Sequence, residues 1–394
     1  MKRINSYIAV ILGESEIIKS SGMVFGASLI GSIVLFVANL ILSKHFGPEG
    51  FGNFKTVITL FLFLPAMIEF GAGVTLTKYI AQFSNKEKIN YLVRWFLRLR
   101  VLSYLILLSI IFILREQVAL YFLKDSSLAY LITAGIFLSG FFFFDIFRYI
   151  TLGFQDFKIY SFSRFLTLAS LGLLAIIFGY FFGVYYAIIG WGLGYLVGNI
   201  PNIQFSFTKK IFEKSKAIDV KKIFLNYSIP IYLMIIPGFL GTAVVPILSL
   251  FFPQKLIGYF AFAMMFYHGI ILIPDALFQI LLPKFSELNA STTSKQLKTR
   301  LKKVFLIYTF IVVLGIVGCL LSSELFITIV APAYLPALIL FKMLFCFGLL
   351  VGYLLIYRSY LTGLGKMKKL TLLVIIQNLS LLIISFIAMM FLSF

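Results

Sequence analysis

The feature that most constrains this chain is a recurrence of uninterrupted apolar runs, each near the roughly 20 residues a helix needs to cross about 30 Å of hydrocarbon. They predict six spans in the first half, near 21–43, 56–82, 95–114, 127–147, 161–181 and 184–206. Five more follow near 226–250, 257–282, 304–322, 335–357 and 370–392. The runs are continuous, whereas the strands of a membrane β-barrel alternate apolar and polar residues, so the spans are helical. With 61% apolar and only 12% charged residues, the chain cannot be a soluble globular domain.

The basic residues orient the spans, because short cytoplasmic loops retain Lys and Arg. With the N-terminus inside, 28 of the 34 Lys and Arg residues fall in cytoplasmic segments. The others are Lys44, Lys55, Arg115, Lys124, Lys255 and Lys342. The net charge of +20 therefore reflects topology, and its division among short loops argues against a nucleic-acid partner. The expected plan is a cytoplasmic leader at 1–20, a six-helix N-terminal lobe at 21–208, a basic cytoplasmic linker at 209–225 and a five-helix C-terminal lobe at 226–394. The leader's apolar stretch, Tyr7 to Leu12, runs into Gly13, Glu14 and Glu16 and is no cleavable signal peptide. Cys319 and Cys346 lie inside apolar runs as small core residues.

An internal repeat divides the chain. Gly52, Phe54, Glu69 and Lys78 match Gly258, Phe260, Asp275 and Lys284 at a constant offset of 206 residues. Arg148, Gly153 and Lys158 match Arg358, Gly363 and Lys368 at an offset of 210. Six spans separate the copies, so both enter the membrane in the same direction and form a parallel repeat. The expected fold is an all-α polytopic membrane protein of two parallel-repeat helical lobes, six plus five spans, in a twelve-span-like arrangement. The second lobe lacks a counterpart of Tyr185 to Ser206, and the sequence leaves open whether the chain is naturally short or truncated.

The stretch His45-Phe46-Gly47-Pro48-Glu49-Gly50-Phe51-Gly52-Asn53-Phe54, followed by Ile68-Glu69-Phe70-Gly71-Ala72-Gly73, resembles the polysaccharide transport family. Leu152-Gly153-Phe154-Gln155-Asp156-Phe157-Lys158 looks like its second signature. That family shares a superfamily with O-antigen flippases, lipid II flippases and multidrug exporters. The resemblance implies two lobes in a V around a central cavity, lined by the first two spans of each lobe and working by alternating access. It implies a non-enzymatic flippase of the bacterial cytoplasmic (inner) membrane. The cargo would be an oligosaccharide on an undecaprenyl pyrophosphate carrier, moved to the outer leaflet for surface polysaccharide such as the O-antigen of lipopolysaccharide. The expected partners are that lipid-linked oligosaccharide, membrane lipids, a glycan polymerase and assembly proteins. No cofactor or metal is expected, and H+ or Na+ coupling stays open. Related flippases hold the pyrophosphate with cavity Arg or Lys, yet spans one and seven carry no basic residue between Ser20 and Ser43 or between Asn226 and Leu250. A cation-coupled multidrug exporter of the same superfamily is the alternative.

The candidate residues have two readings each. Glu69 and Asp275 are mid-membrane carboxylates that either serve transport or bond backbone amides freed at a kink by Pro65 or Pro274. His268, Asp275 and Gln279, spaced i, i+7, i+11, form one helix stripe that either carries a coupling ion or makes a hydrogen-bonded helix contact. Arg148 and Arg358, at cytoplasmic ends of spans four and ten, either meet a phosphate head group or anchor the helix. Lys342, about two turns into span ten, either contacts an anion near product release or snorkels. With only His45 and His268, an all-histidine metal site is out of reach.

Overall fold

In a computed structural model, the backbone is described for residues 2–291, 294–364 and 367–393, and side chains for 22–272, 274, 299, 301–362, 364 and 369–392. Every regular element in it is helical. The first half holds α1 (Lys2–Met67), α2 (Ala72–Gln82), α3 (Lys86–Ile113), α4 (Arg115–Leu123), α5 (Ala129–Phe142), α6 (Ile146–Gly153), α7 (Phe157–Phe182) and α8 (Val184–Thr208). The second holds α9 (Val220–Ile223), α10 (Ile229–Ser249), α11 (Gln254–Ser291), α12 (Ser294–Val330), α13 (Leu338–Gly363) and α14 (Met367–Ser393).

Among the described residues, nine helical segments are long and apolar enough to cross a membrane. The first of them, Gly22–Met67, has 46 residues, roughly 70 Å of helix and twice what a bilayer needs. It is divided by Gly47, whose φ of 65° is open to a residue without a Cβ, and Pro48 follows with no N–H for the preceding turn. Taking α1 as two spans and adding the 25-residue α8 recovers the eleven spans of the sequence map. Among the differences in boundary, one bears on the site. Residues 44–55 are expected as a loop and 56–82 as one span, whereas 44–55 is helical on both sides of the Gly47 kink and the span breaks at Ile68–Gly71. There Phe70 and Gly71 take φ of 50° and 71°, a left-handed pair that ends the helix and restarts it as α2.

Local chemistry sets the other ends. Asn85 caps α3 by accepting from Glu87 and Lys88 N–H, and Asp156 and Asp219 cap α7 and α9. Gly190, Gly194 and Gly198 on α8 lay its backbone against Leu174, Leu171 and Thr167 of α7.

Two lobes result, and they touch mainly through α1. At the Gly47 end the contact is reciprocal. A Cβ on Gly52 would meet the carbonyl of Gln254, and a Cβ on Gly258 would meet that of Pro48. Gln254 and Gly258 are Pro48 and Gly52 displaced by the 206-residue repeat offset, so the two copies face each other across a pseudo-twofold axis. Phe54 and its repeat mate Phe260 are both fully buried there. Thr56 bonds Gln254 (3.0 Å), and Tyr334 donates to the Ser43 carbonyl (2.9 Å). At the other end the α1–α2 break grips the start of the seventh span. Ser228 Oγ donates to Phe70 O (2.7 Å), Thr75 Oγ1 donates to Ser228 (3.0 Å), and the Tyr232 hydroxyl donates to Met67 O.

The reciprocal glycine contact leaves no room for a side chain. Gly258→Leu is expected to lower stability by about 1–3 kcal/mol through overpacking, read as a fall in unfolding temperature. Gly140→Ala, which points into open space, is expected to leave that temperature unchanged.

Candidate functional site

Between the lobes lies a cavity of about 560 Å³. Both halves of α1, together with α10 and α11, supply most of its wall, with Trp191 of α8 and Gln377 and Asn378 of α14 completing it. Its lining obeys the repeat. Asn39, Lys55, Thr59 and Leu62 all line it, and so do Val245, Ala261, Met265 and His268, each 206 residues further on. The cavity therefore sits on the pseudo-twofold axis, while the residues on its two sides are chemically unlike.

The first lobe's wall is polar and cationic. Lys55 Nζ donates to Asn39 Oδ1 at 2.5 Å and lies 5.3, 5.8 and 5.2 Å from the ring centroids of Phe51, Phe54 and Trp191. Asn39 is itself held by its bond to Leu35 O (2.8 Å). One carbonyl acceptor and three aromatic faces hold the Lys55 amine in place, with no carboxylate among these partners. Across the axis the same positions are Val245 and Ala261, and the polar group is His268, which is exposed in the cavity. Among the described residues no carboxylate lines the space. The cavity is thus suited to an anion or a polar neutral group, since a cation there would meet Lys55 without a counter-charge.

The first lobe's carboxylates are elsewhere. Glu69 stands at the α1–α2 break with Oε1 3.9 Å from Arg100 Nη1, and Asp145, between α5 and α6, pairs with Arg148 at 2.9 Å. Arg100 also donates to the Tyr104 hydroxyl and to Phe142 O, both at 3.3 Å, and Arg148 donates to the Tyr149 hydroxyl at 3.2 Å. Two acids and two guanidinium groups make a neutral cluster where an unpaired charge would be costly. Glu69 and Arg148 are brought into this one network and lie outside the cavity lining.

The remaining candidates are dispersed. Arg358 is half-buried near the end of α13, and Lys342 is half-buried near its start. Asp275 and Gln279 are on α11, with side chains outside the described residues, so of their stripe only His268 is placed in the cavity. Lys55, Asn39, Arg100 and Asp145 escape the sequence reading. Lys55 falls in a stretch expected as a loop that is helix, and Asp145 carries its own signal, an acid three residues before Arg148 inside an apolar run.

Arg148→Met leaves Asp145 buried without its partner and is expected to cost about 3–5 kcal/mol of stability. The double change with Asp145→Asn is expected to recover most of that loss. Unfolding temperatures of the four proteins test this, and additive losses would contradict the pairing.

The chain matches the family model described as polysaccharide biosynthesis protein over residues 17–289. No curated protein sequence matches it. Its fold is similar to that of the lipid II flippase MurJ in an inward closed conformation, with a TM-score of 0.64 and 15% identity over 93% of this chain and 86% of that one. It is also similar to an inward-facing multidrug resistance MATE family transporter of the MOP superfamily, with a TM-score of 0.60 and 16% identity over 92% and 94% of the two chains. An outward-facing multidrug resistance MATE family transporter of the same superfamily aligns with a TM-score of 0.55 and 16% identity over 95% and 93%. These likenesses are of fold, and the expected two-lobed helical architecture is the one they share. With the family match spanning more than half of its length, this chain is a multi-pass membrane protein belonging to the polysaccharide biosynthesis protein family.

Proposed function

We propose that the protein is a flippase that carries an undecaprenyl-pyrophosphate-linked oligosaccharide from the cytoplasmic to the outer leaflet of a bacterial inner membrane, by alternating access, for surface polysaccharide assembly. The observation that carries this reading is Lys55. It is a lysine held in a central cavity whose described lining has no carboxylate, a side chain that would bind a diphosphate as the ammonium. Asn39, Thr59, Gln377 and Asn378 around it offer amides and a hydroxyl to sugar hydroxyls. The protein does no chemistry on its cargo in this reading.

The basic loops favour a cytoplasmic N-terminus, which makes the Gly47 end the outer one. The reciprocal glycine contact then acts as the outer gate and the Ser228 clasp as part of the inner one. H+ is the coupling ion most in keeping with Glu69, whose partner Arg100 is 3.9 Å away while Asp145 is held at 2.9 Å. A cation-coupled drug exporter fits the cavity less well, because its cationic cargo would face Lys55.

The test is complementation of a strain that lacks the protein. Lys55→Gln is expected to strand lipid-linked oligosaccharide on the cytoplasmic side and to cut surface polysaccharide at least about tenfold, the effect of roughly 1.4 kcal/mol of lost anion contact. Lys55→Arg is expected to restore part of it. Full surface polysaccharide with Lys55→Gln at normal protein levels would contradict the reading.

A further inference from the structure

A second space, also about 560 Å³, lies on the flank of the second lobe between α11, α12 and α13. One face of α12 opens it. Gly315, Gly318, Cys319 and Ser322 recur at i, i+3, i+4 and i+7, and a Cβ on Gly318 would meet nothing within 4 Å. On its rim Leu325 and Ile329 are 65% and 70% exposed, apolar surface of the kind that faces acyl chains. A groove of this volume bordered by such residues is filled by hydrocarbon, because water gains nothing there.

Two polar features set it apart from an ordinary crevice. Ser323 lines it, is 2% exposed, and its hydroxyl has no hydrogen-bond partner among the described residues, an arrangement that in hydrocarbon calls for an acceptor from outside the chain. Lys342 follows the lining residue Phe341 near the start of α13 and is half-buried. A buried hydroxyl donor and an ammonium beside an apolar trough match a lipid phosphate above its chain.

The groove also shares a wall with the central cavity. Phe266 lies between Met265 and Tyr267, both of which line the cavity, yet its own ring lines the groove. That ring packs on Phe36 of the cavity at 5.2 Å and on Phe341 and Phe326 of the groove at 4.7 and 5.6 Å. The packed rings of Phe36 and Phe266 therefore lie between the two spaces.

Resting on the flippase reading, we propose that this groove is an exit-side docking site for the carried lipid. Its polyisoprenyl chain lies along Gly315 to Ser322, and its phosphates face Ser323 and Lys342 once the head group has left the cavity. On the orientation set by the basic loops, Ser323 and Lys342 are in the outer half of the membrane, where the product emerges.

The test uses the full chain in nanodiscs with a polyisoprenyl diphosphate bearing a photoreactive group on its chain, and peptide mapping of the adducts. A photoreactive phosphatidylglycerol at equal mole fraction is the comparison. The expected result is adducts on residues 315–329 and 341–345, reduced about tenfold by excess unlabelled polyisoprenyl diphosphate and by Gly318→Leu, a loss of roughly 1.4 kcal/mol in affinity. Phosphatidylglycerol is expected not to compete. Adducts confined to the walls of the central cavity, or equal labelling by phosphatidylglycerol in the groove, would overturn the docking site and leave the flippase reading standing. No competable adduct anywhere on the chain would overturn both. Because the map is made on the unaltered protein, it decides the question even if Gly318→Leu fails to fold.

Discussion

The architecture depends on one contact, the mutual approach of two backbones at Gly52 and Gly258. Helices in a bilayer gain little from the hydrophobic effect, since lipid tails are as apolar as their side chains, so close packing has to hold them together. Here each glycine admits the other copy's helix start, and the exchange of Pro48 for Gln254 across the contact is the repeat offset made spatial. That contact fixes the pseudo-twofold axis. The axis in turn brings the two walls of the cavity into register, Asn39 opposite Val245 and Lys55 opposite Ala261.

Symmetry of backbone with asymmetry of charge is what the cavity then offers. A transporter needs two similar lobes to rock about a common centre, but a cargo with one anionic end needs one cationic wall. In the proposed function the chain meets both demands by keeping the repeat in its helices and breaking it in its side chains. The contrast with the Glu69, Arg100, Asp145 and Arg148 cluster is instructive. Four charges there cancel inside the first lobe and hold the α1–α2 break, whereas Lys55 is held by an amide oxygen and aromatic rings with no carboxylate beside it in the cavity lining.

Much of this is legible in the sequence. Hydropathy and the placement of Lys and Arg predict eleven helical spans, and the Gly52/Gly258 and Glu69/Asp275 correspondences reveal a parallel repeat, because neither signal depends on tertiary packing. The cavity's composition is harder to read. Treating 44–55 as a loop moves Lys55 out of the membrane's functional zone, although Gly47-Pro48 marks a kink between two helical halves of α1. Glu69 can be singled out as a costly buried acid, but not its pairing, since Arg100 is 31 residues away and only tertiary packing joins them. The side chains of Asp275 and Gln279 lie outside the described residues, so the structure completes their stripe only as far as His268.

The most direct measurement of the central claim is transport by the purified protein in proteoliposomes, comparing an oligosaccharide linked to a polyisoprenyl diphosphate, the same glycan on a neutral polyisoprenyl linkage, and a cationic dye. A cavity lined by Lys55 and by no carboxylate among its described residues should move the diphosphate lipid across the bilayer and discriminate against the other two. Export of the dye while the diphosphate lipid stays in its original leaflet would contradict the account.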